Sequence, residues 1–420
     1  MSSTTSSTQT GSLQSVPPRS RPIAPGFIDR TARGLFCRKL AGLSGGVLNL
    51  SDALGQQVLG AAGAASLSCH VEVHDAGFYR HAILGGSLSV AESYLRGHWD
   101  CDDLTAMFRI FCRNMPVTNG IDLGLSRVAQ WLARGYHALH ANSKQGSRRN
   151  IGAHYDLGND LFQIMLDETL SYSCALFEPP GCSLADASRA KLDRVCRKLD
   201  LRPGDHLLEI GTGWGGLAMH AARNFGCHVT TTTISRQQHD LAKERIQQAG
   251  LADRITLLLE DYRDLKGQYD KLVSIEMIEA VGHEHFDTYF RQCHNLLRPG
   301  GTFVLQGIVM REQRYREYLR SVDFIQRYIF PGGCLPSVGA IVASTGRTPG
   351  LFLAHHEELG PHYAQTLRHW RSRFHARLDE VRRLGYSETF VRMWNYYLCY
   401  CEAAFEERCI GLVQMQFTKD

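Results

Sequence analysis

Residues 207–216 constrain the fold of this chain more than any other stretch. Leu207, Leu208 and Ile210 form a short apolar run suited to a buried parallel strand. Glu209 lies within it, and Gly211, Gly213, Gly215 and Gly216 follow, with Thr212 and Trp214 between them. Glycines so placed let the backbone turn sharply and come close to a ligand. Leu217 to Arg223 then reads as a helix. Strand, glycine turn and helix in that order form the nucleotide-binding unit of a doubly wound α/β domain. Gly-x-Gly-x-Gly suits S-adenosylmethionine (SAM). Gly216 also completes the dinucleotide pattern Gly-x-Gly-x-x-Gly, and a turn that only packs helix on strand would read the same way.

The rest of the rhythm supports a Rossmann-like, mostly parallel sheet. Residues 228–234, 255–259, 269–275 and 302–305 read as strands and 237–249 as a helix. In such sheets a ligand sits at the carboxyl ends of the strands. That rule gathers the glycine loop, Thr233, Ile234, Ser235, Asp261, Tyr262 and residues 276–279 around one crevice. The second strand lacks the acidic end residue that usually grips a ribose. Thr233 and Ser235 hydroxyls and the Gln238 amide are the available substitutes. Leu297, Arg298, Pro299, Gly300 and Gly301 precede a strand, a turn common in SAM methyltransferases, and they favour SAM.

The flanking sequence implies a second domain. Residues 1–25, rich in Ser, Thr and Pro, read as a disordered tail. Residues 26–140 read as a smaller N-terminal α+β domain, with strands at 71–73 and 81–84 and helices at 91–99 and 103–111. Leu104, Met107, Phe108 and Phe111 share one face of the last helix. Residues 141–150 read as a polar linker in which Lys144, Arg148 and Arg149 either are solvated or face phosphates. Residues 151–420 carry the nucleotide fold and its insertions. A net charge of +4 permits contact with an anionic membrane surface and is weak for nucleic acid. The 13 cysteines are scattered without a C-x-x-C pair, which points to reduced thiols and no metal. With no apolar run of about 18 residues and no secretory leader pattern, the expectation is a cytoplasmic protein, peripheral to the membrane if it works on lipid.

Several ordered motifs narrow the reading: Tyr94–Trp99, His154–Asp160, Tyr172–Ala175, Thr233–Ser235, Asp261–Asp264, Met277–Gly282, Tyr328–Gly333 and Leu335–Ser337. Together, over roughly residues 80–417, they resemble the cyclopropane-fatty-acyl-phospholipid synthase family, which includes the mycolic acid cyclopropane synthases. The resemblance implies a class I SAM methyltransferase with a lipid-associated N-terminal domain. It implies methyl transfer to the cis double bond of an unsaturated acyl chain in a membrane phospholipid, followed by proton loss and ring closure. A bound bicarbonate ion would be the base, and a homodimer would be common.

Site residues follow by the same resemblance. Cys174 (backbone N–H), Glu279 and Tyr363 would hold the bicarbonate, and Gln306 stands where the family usually has a histidine. Gln306 can donate a hydrogen bond and cannot titrate, which leaves open a methyl- or methylene-branched product. Cys401 matches the family's reactive cysteine and is expected to line the acyl tunnel. Tyr172, Ser173, Glu209, the glycine loop, Thr233 to Gln238, Asp261 and Tyr262 would hold SAM. A carbocation next to a free carboxylate would be trapped as an ester, so aromatic faces (Tyr172, Tyr363, Trp394, Tyr396 and Tyr397) are the candidate stabilisers. A methyltransferase for a soluble acceptor and an inactive lipid-binding module remain the rival readings.

Overall fold

The computed structural model describes residues 25–61, 63, 66–115, 146 and 158–420. The expected tail (apart from Pro25) and the expected linker with Lys144, Arg148 and Arg149 (apart from Gly146) lie outside the described residues.

The N-terminal part runs α1 (Phe27–Leu40), β1 (Gly46–Asp52), β2 (Gly55–Ala61), β3 (Leu67–Val73), α2 (Gly77–Leu95), β4 (Trp99–Cys101) and α3 (Leu104–Arg113). Its four strands form a sheet in the order β2-β1-β3-β4. Two expectations change here. Residues 81–84 are helical, because Phe78, Tyr79, Ala82, Ala91, Tyr94 and Leu95 place their buried side chains along α2 rather than alternately on a strand. The expected helix to Trp99 stops at Leu95, since Gly97 turns at φ +74° and Trp99 then pairs with Val73. On α3, Leu104, Met107 and Phe108 are buried as the periodicity implied, and Asp103 caps the helix by accepting from the Ala106 N–H.

The larger part contains α4 (Asn159–Met165), α5 (Leu184–Lys198), β5 (His206–Ile210), α6 (Gly216–Phe225), β6 (His228–Thr232), α7 (Arg236–Gln248), β7 (Ile255–Leu258) and β8 (Tyr269–Ile275). It continues through α8 (Phe286–Leu296), β9 (Leu297–Met310), α9 (Glu312–Tyr318), α10 (Val338–Gly346), β10 (Leu351–Glu358), α11 (Gly360–Ala376), α12 (Leu378–Arg383), α13 (Glu388–Glu406) and β11 (Ile410–Lys419). The sheet order is β10-β11-β9-β8-β5-β6-β7. Strands β5 to β9 run parallel, and β11 inserts antiparallel between β9 and β10.

Alternation along the strands feeds two cores. Leu207, Val229, Val273 and Val304 face α5 and α6. Leu208, Leu272, Phe303 and Leu305 face α8 and α10. Each such aliphatic side chain contributes about 1.5–3 kcal/mol on burial, so a one-residue slip of any central strand would be strongly disfavoured. Strand order reverses between β5 and β8, and that switch point opens the crevice at their carboxyl ends.

The two parts share one apolar core, in which Leu48, Val71 and Met107 belong to the same cluster as Trp370, Trp394 and Phe405. Arg392 on α13 ties them together. Its guanidinium donates to the Tyr94 carbonyl (2.6 Å), the Trp99 carbonyl (2.8 Å) and Asp100 (2.7 Å). It also lies 3.9 Å from the centroid of the Tyr94 ring. Glu407 just beyond α13 accepts from Arg109 and Arg113 of α3 at 2.7 and 2.9 Å.

Candidate active site

A cavity of about 990 Å3 begins in the crevice at the switch point, at the upper end of the roughly 300–1,000 Å3 typical of small-molecule sites. One wall is the glycine loop. Gly211 (φ +107°) and Gly213 (φ +53°) adopt left-handed backbone, and a Cβ on Gly213 would meet nothing within 4 Å. The loop therefore presents bare backbone to open space. Glu209 is buried behind it, accepting from the Thr231 hydroxyl at 2.6 Å, and burial pushes its carboxyl up to about 8.

Thr233 and Gln238 are also buried on the cavity wall, the hydroxyl donating to the amide oxygen at 2.9 Å. Arg263 chelates the Asp261 carboxylate through Nε and Nη2 at 2.8 and 2.7 Å, while the Tyr262 ring faces the cavity.

From this cleft the cavity continues into an apolar section. Tyr396, Tyr397, Tyr400, Cys401 and Phe405 from α13 line it, as do Leu48, Leu50, Val71, Phe78 and Met107 from the N-terminal part. Leu170, Tyr172 and Ser173 line the cavity too. The Tyr172 and Tyr397 hydroxyls are hydrogen-bonded at 2.7 Å.

A buried polar cluster also borders the cavity. Immediately after β8, Glu276 turns its carboxylate into a ring of three donors. The Cys174 N–H and the Gln306 amide reach Oε1 at 2.9 and 2.7 Å, and the Tyr363 hydroxyl reaches Oε2 at 2.5 Å. Buried Lys191 lies close enough to favour the ionised carboxylate, although burial raises the Glu276 pKa overall. Glu279, one 3-10 turn further on, accepts from the Ile308 N–H at 2.5 Å, and its second oxygen is buried with no hydrogen-bond partner among the described residues. Burial and the neighbouring Glu276 push Glu279 up to about 8. Three donors on Glu276 against one on Glu279 favour negative charge on Glu276 over Glu279.

Residues 142–415 match the family described as mycolic acid cyclopropane synthetase. The chain belongs to this family. It is 40% identical over 352 residues to a tuberculostearic acid methyltransferase of Mycobacterium tuberculosis, covering 81% of this chain and 80% of the relative. It is 38% identical over 356 residues to the cyclopropane-fatty-acyl-phospholipid synthase of Escherichia coli, covering 84% and 89%. Among solved structures, the mycolic acid cyclopropane synthase CmaA1 complexed with SAH and CTAB superposes with a TM-score of 0.61 at 31% identity, covering 65% of this chain and 98% of that one. The expected fold, a class I SAM methyltransferase with a mostly parallel α/β sheet, is the one observed, and as a member of the family the chain is a SAM-dependent methyltransferase.

Within this synthetase frame, most of the expected SAM residues line the cavity, from Tyr172 and Ser173 through Glu209 to Tyr262. Gly215 and Ser235 do not. Gly215 precedes α6 at φ +83°, and Ser235 caps α7 by accepting from the Gln238 N–H. Among the expected aromatic stabilisers, Trp394 is also off the cavity: it is fully buried and its indole N–H points to the Met165 sulfur at 3.3 Å. Cys401 lines the apolar section, as expected, and burial raises its thiol pKa, which disfavours a thiolate there.

Sequence reasoning missed two charged groups. Lys191 is buried on α5, donating to the Ser173 hydroxyl at 2.8 Å. Glu276 was inside the expected crevice and received no role, although an acid directly after a central strand was a legible signal.

The expected bicarbonate does not fit. Its three expected donors, the Cys174 N–H, the Gln306 amide and the Tyr363 hydroxyl, already converge on Glu276. A second anion there would lie against a buried like charge.

The carboxyl pair has a measurable consequence for stability. Glu279 has a folded pKa of about 8, against 4.5 in its ordinary state. Its stabilising contribution is complete below the ordinary value and is lost as pH rises through the folded one. The thermal stability of the wild type relative to Glu279→Gln should therefore decline between about pH 4.5 and 8. Melting curves of both proteins across that range would test this; a constant difference contradicts the assignment.

Proposed function

We propose that the chain transfers the SAM methyl group to the cis double bond of an unsaturated acyl chain carried by a membrane phospholipid. The observation that carries this reading is the single cavity that joins the glycine-loop cleft to an apolar section reaching the N-terminal part. SAM would be held by the glycine loop, Gln238 and Tyr262, and it supplies an electrophilic methyl on sulfonium. An alkene is a weak nucleophile, so the protein's share of the work is to hold it against that methyl in a dry, apolar space. Tyr172, Tyr363, Tyr396 and Tyr397 provide aromatic faces that favour positive charge without bonding to it.

Ring closure to a cyclopropane is the first reading of the product, supported by the family and by the Escherichia coli relative. A branched chain is the second, favoured by the similarity to a tuberculostearic acid methyltransferase and by the non-titrating Gln306. Arg316 and Arg320 border the cavity, are exposed, and have no ion pair among the described residues. They suit a phospholipid headgroup at a membrane surface, with the protein bound peripherally on its cytoplasmic face. A homodimer remains part of this proposal.

The test uses purified protein, methyl-labelled SAM and vesicles of monounsaturated phospholipid, with the released fatty acids analysed by mass spectrometry after double-bond derivatisation. A labelled product heavier than its substrate by one CH2 that resists derivatisation establishes the cyclopropane, and one two hydrogens heavier still is the saturated methyl branch. A labelled product that still reacts establishes the methylene branch. Labelled lipid in none of these forms rejects the function. Neutralising Arg316 and Arg320 together should weaken binding to anionic vesicles by roughly 1 kcal/mol per residue. Binding that is unchanged by this substitution and by salt would reject the electrostatic part.

A further inference from the structure

We propose that the Glu276 carboxylate is the built-in base of this enzyme and takes the place of a bound bicarbonate ion. This inference rests on the function proposed above and names the group that completes it. A carboxylate and bicarbonate present the same planar pair of charged oxygens. Here the pair is covalently part of the chain, and all three donors point at it.

Two further observations support this assignment. First, Glu276 has φ +49°, left-handed backbone that a residue with a Cβ adopts at a cost, and its own N–H donates to the Gln306 carbonyl at 2.8 Å. The strand end is thus bent to aim this one side chain. Second, a chain of unambiguous donors fixes the orientation of Gln306. The Lys198 ammonium, which can only donate, gives a proton to the Gln414 amide oxygen at 2.6 Å. The Gln414 amide nitrogen must then donate to the Gln306 oxygen, at 2.8 Å. That leaves the Gln306 nitrogen facing Glu276 at 2.7 Å, where only an acceptor is satisfied. A histidine relay is replaced by a fixed donor, which suits a base that is itself the titrating group.

The step balances without any outside reagent. The alkene electron pair forms the bond to the methyl carbon, and the carbon–sulfur pair returns to sulfur. Glu276 takes a proton from the transferred methyl, and the electrons of that C–H bond close the ring. If a hydride first shifts along the chain, the same electrons form an exocyclic double bond. The proton leaves Glu276 for water before the next turnover. Three donors occupy two lone-pair directions on Oε1 and one on Oε2; they leave one direction on Oε2 open to the proton and lower the reactivity of the carboxylate toward the cationic carbon, which disfavours ester formation.

The full-length chain would be assayed with SAM and monounsaturated phospholipid vesicles in carbon-dioxide-free buffer, and again with added bicarbonate. Wild type should turn over equally in both. Glu276→Gly should remain folded, because glycine tolerates the left-handed backbone, and should bind SAM normally. It should lose about 100-fold or more in rate without bicarbonate and recover part of it when bicarbonate is added. Glu276→Gln should stay inactive in both buffers. Isotopically labelled bicarbonate, followed by its NMR line broadening, should bind the glycine variant and not the wild type. A wild-type rate that falls in carbon-dioxide-free buffer, bicarbonate bound to wild type, or an active glutamine variant would each overturn the proposal. If wild type binds SAM and labels no lipid, the function reading fails, while the bicarbonate comparison still decides what occupies the site.

Discussion

Gly213→Val should abolish SAM binding and leave the protein folded. At φ +53° a side chain on this residue is strained, at about 1–3 kcal/mol, which a domain of this size tolerates. It would collide with no protein atom within 4 Å, so the core does not rearrange. The added side chain instead enters the part of the cavity that the glycine loop lines. A loss of at least about 100-fold in affinity, roughly 2.7 kcal/mol, is the expected scale. Titration calorimetry with SAM measures it, and circular dichroism confirms the fold. Gly216→Val is the informative contrast, because there a Cβ would lie 2.7 Å from the Thr169 carbonyl and the fold itself should suffer. If the Gly213 variant binds SAM normally, the cofactor is not in this crevice.

The position of that crevice was legible because it depends on local signals. A glycine turn after an apolar strand and the reversal of strand order are both set by neighbouring residues and chain rhythm. Strands β5 to β8 accordingly fall within two residues of their expected ends. The long β9 and the inserted β11 were less legible. Their register depends on pairing between Thr302–Met310 and Ile410–Thr418, contacts that no local pattern announces. In the N-terminal part, residues 81–84 read as a short apolar strand, yet the packing of Phe78, Tyr79 and Ala82 along one helix makes them helical.

The same division holds within the site. Motif resemblance placed Cys174, Gln306 and Tyr363, and the fold brings these three to a single point. What they surround could not be read from them, because an ion and a side-chain carboxylate make the same demands on their donors. In the structure they meet the Glu276 carboxylate, at a residue whose left-handed φ of +49° no local pattern announces.

Arg392→Met should destabilise the protein and selectively impair its lipid chemistry. The guanidinium joins α13 to the N-terminal part through two backbone carbonyls and Asp100. Methionine keeps much of the packing volume and removes every donor. Loss of charge-assisted bonds at a half-buried site should cost about 2–4 kcal/mol. Thermal unfolding would register this, and Arg197→Ala is the control, since exposed Arg197 pairs with half-buried Asp193 one turn away on the same helix and should contribute little. The effect on chemistry follows from where the clamp acts. Trp99, whose carbonyl Arg392 holds, borders the cavity together with Leu48, Val71 and Met107 of the same part. When that wall loosens, the apolar section loses its shape while the glycine loop, on the opposite part of the chain, does not. Turnover of long acyl chains should therefore fall by more than the loss of stability explains at a temperature where the variant is folded, with SAM affinity unchanged. Equal losses in both would mean that the N-terminal part supports the whole fold and has no separate role in holding the acyl chain.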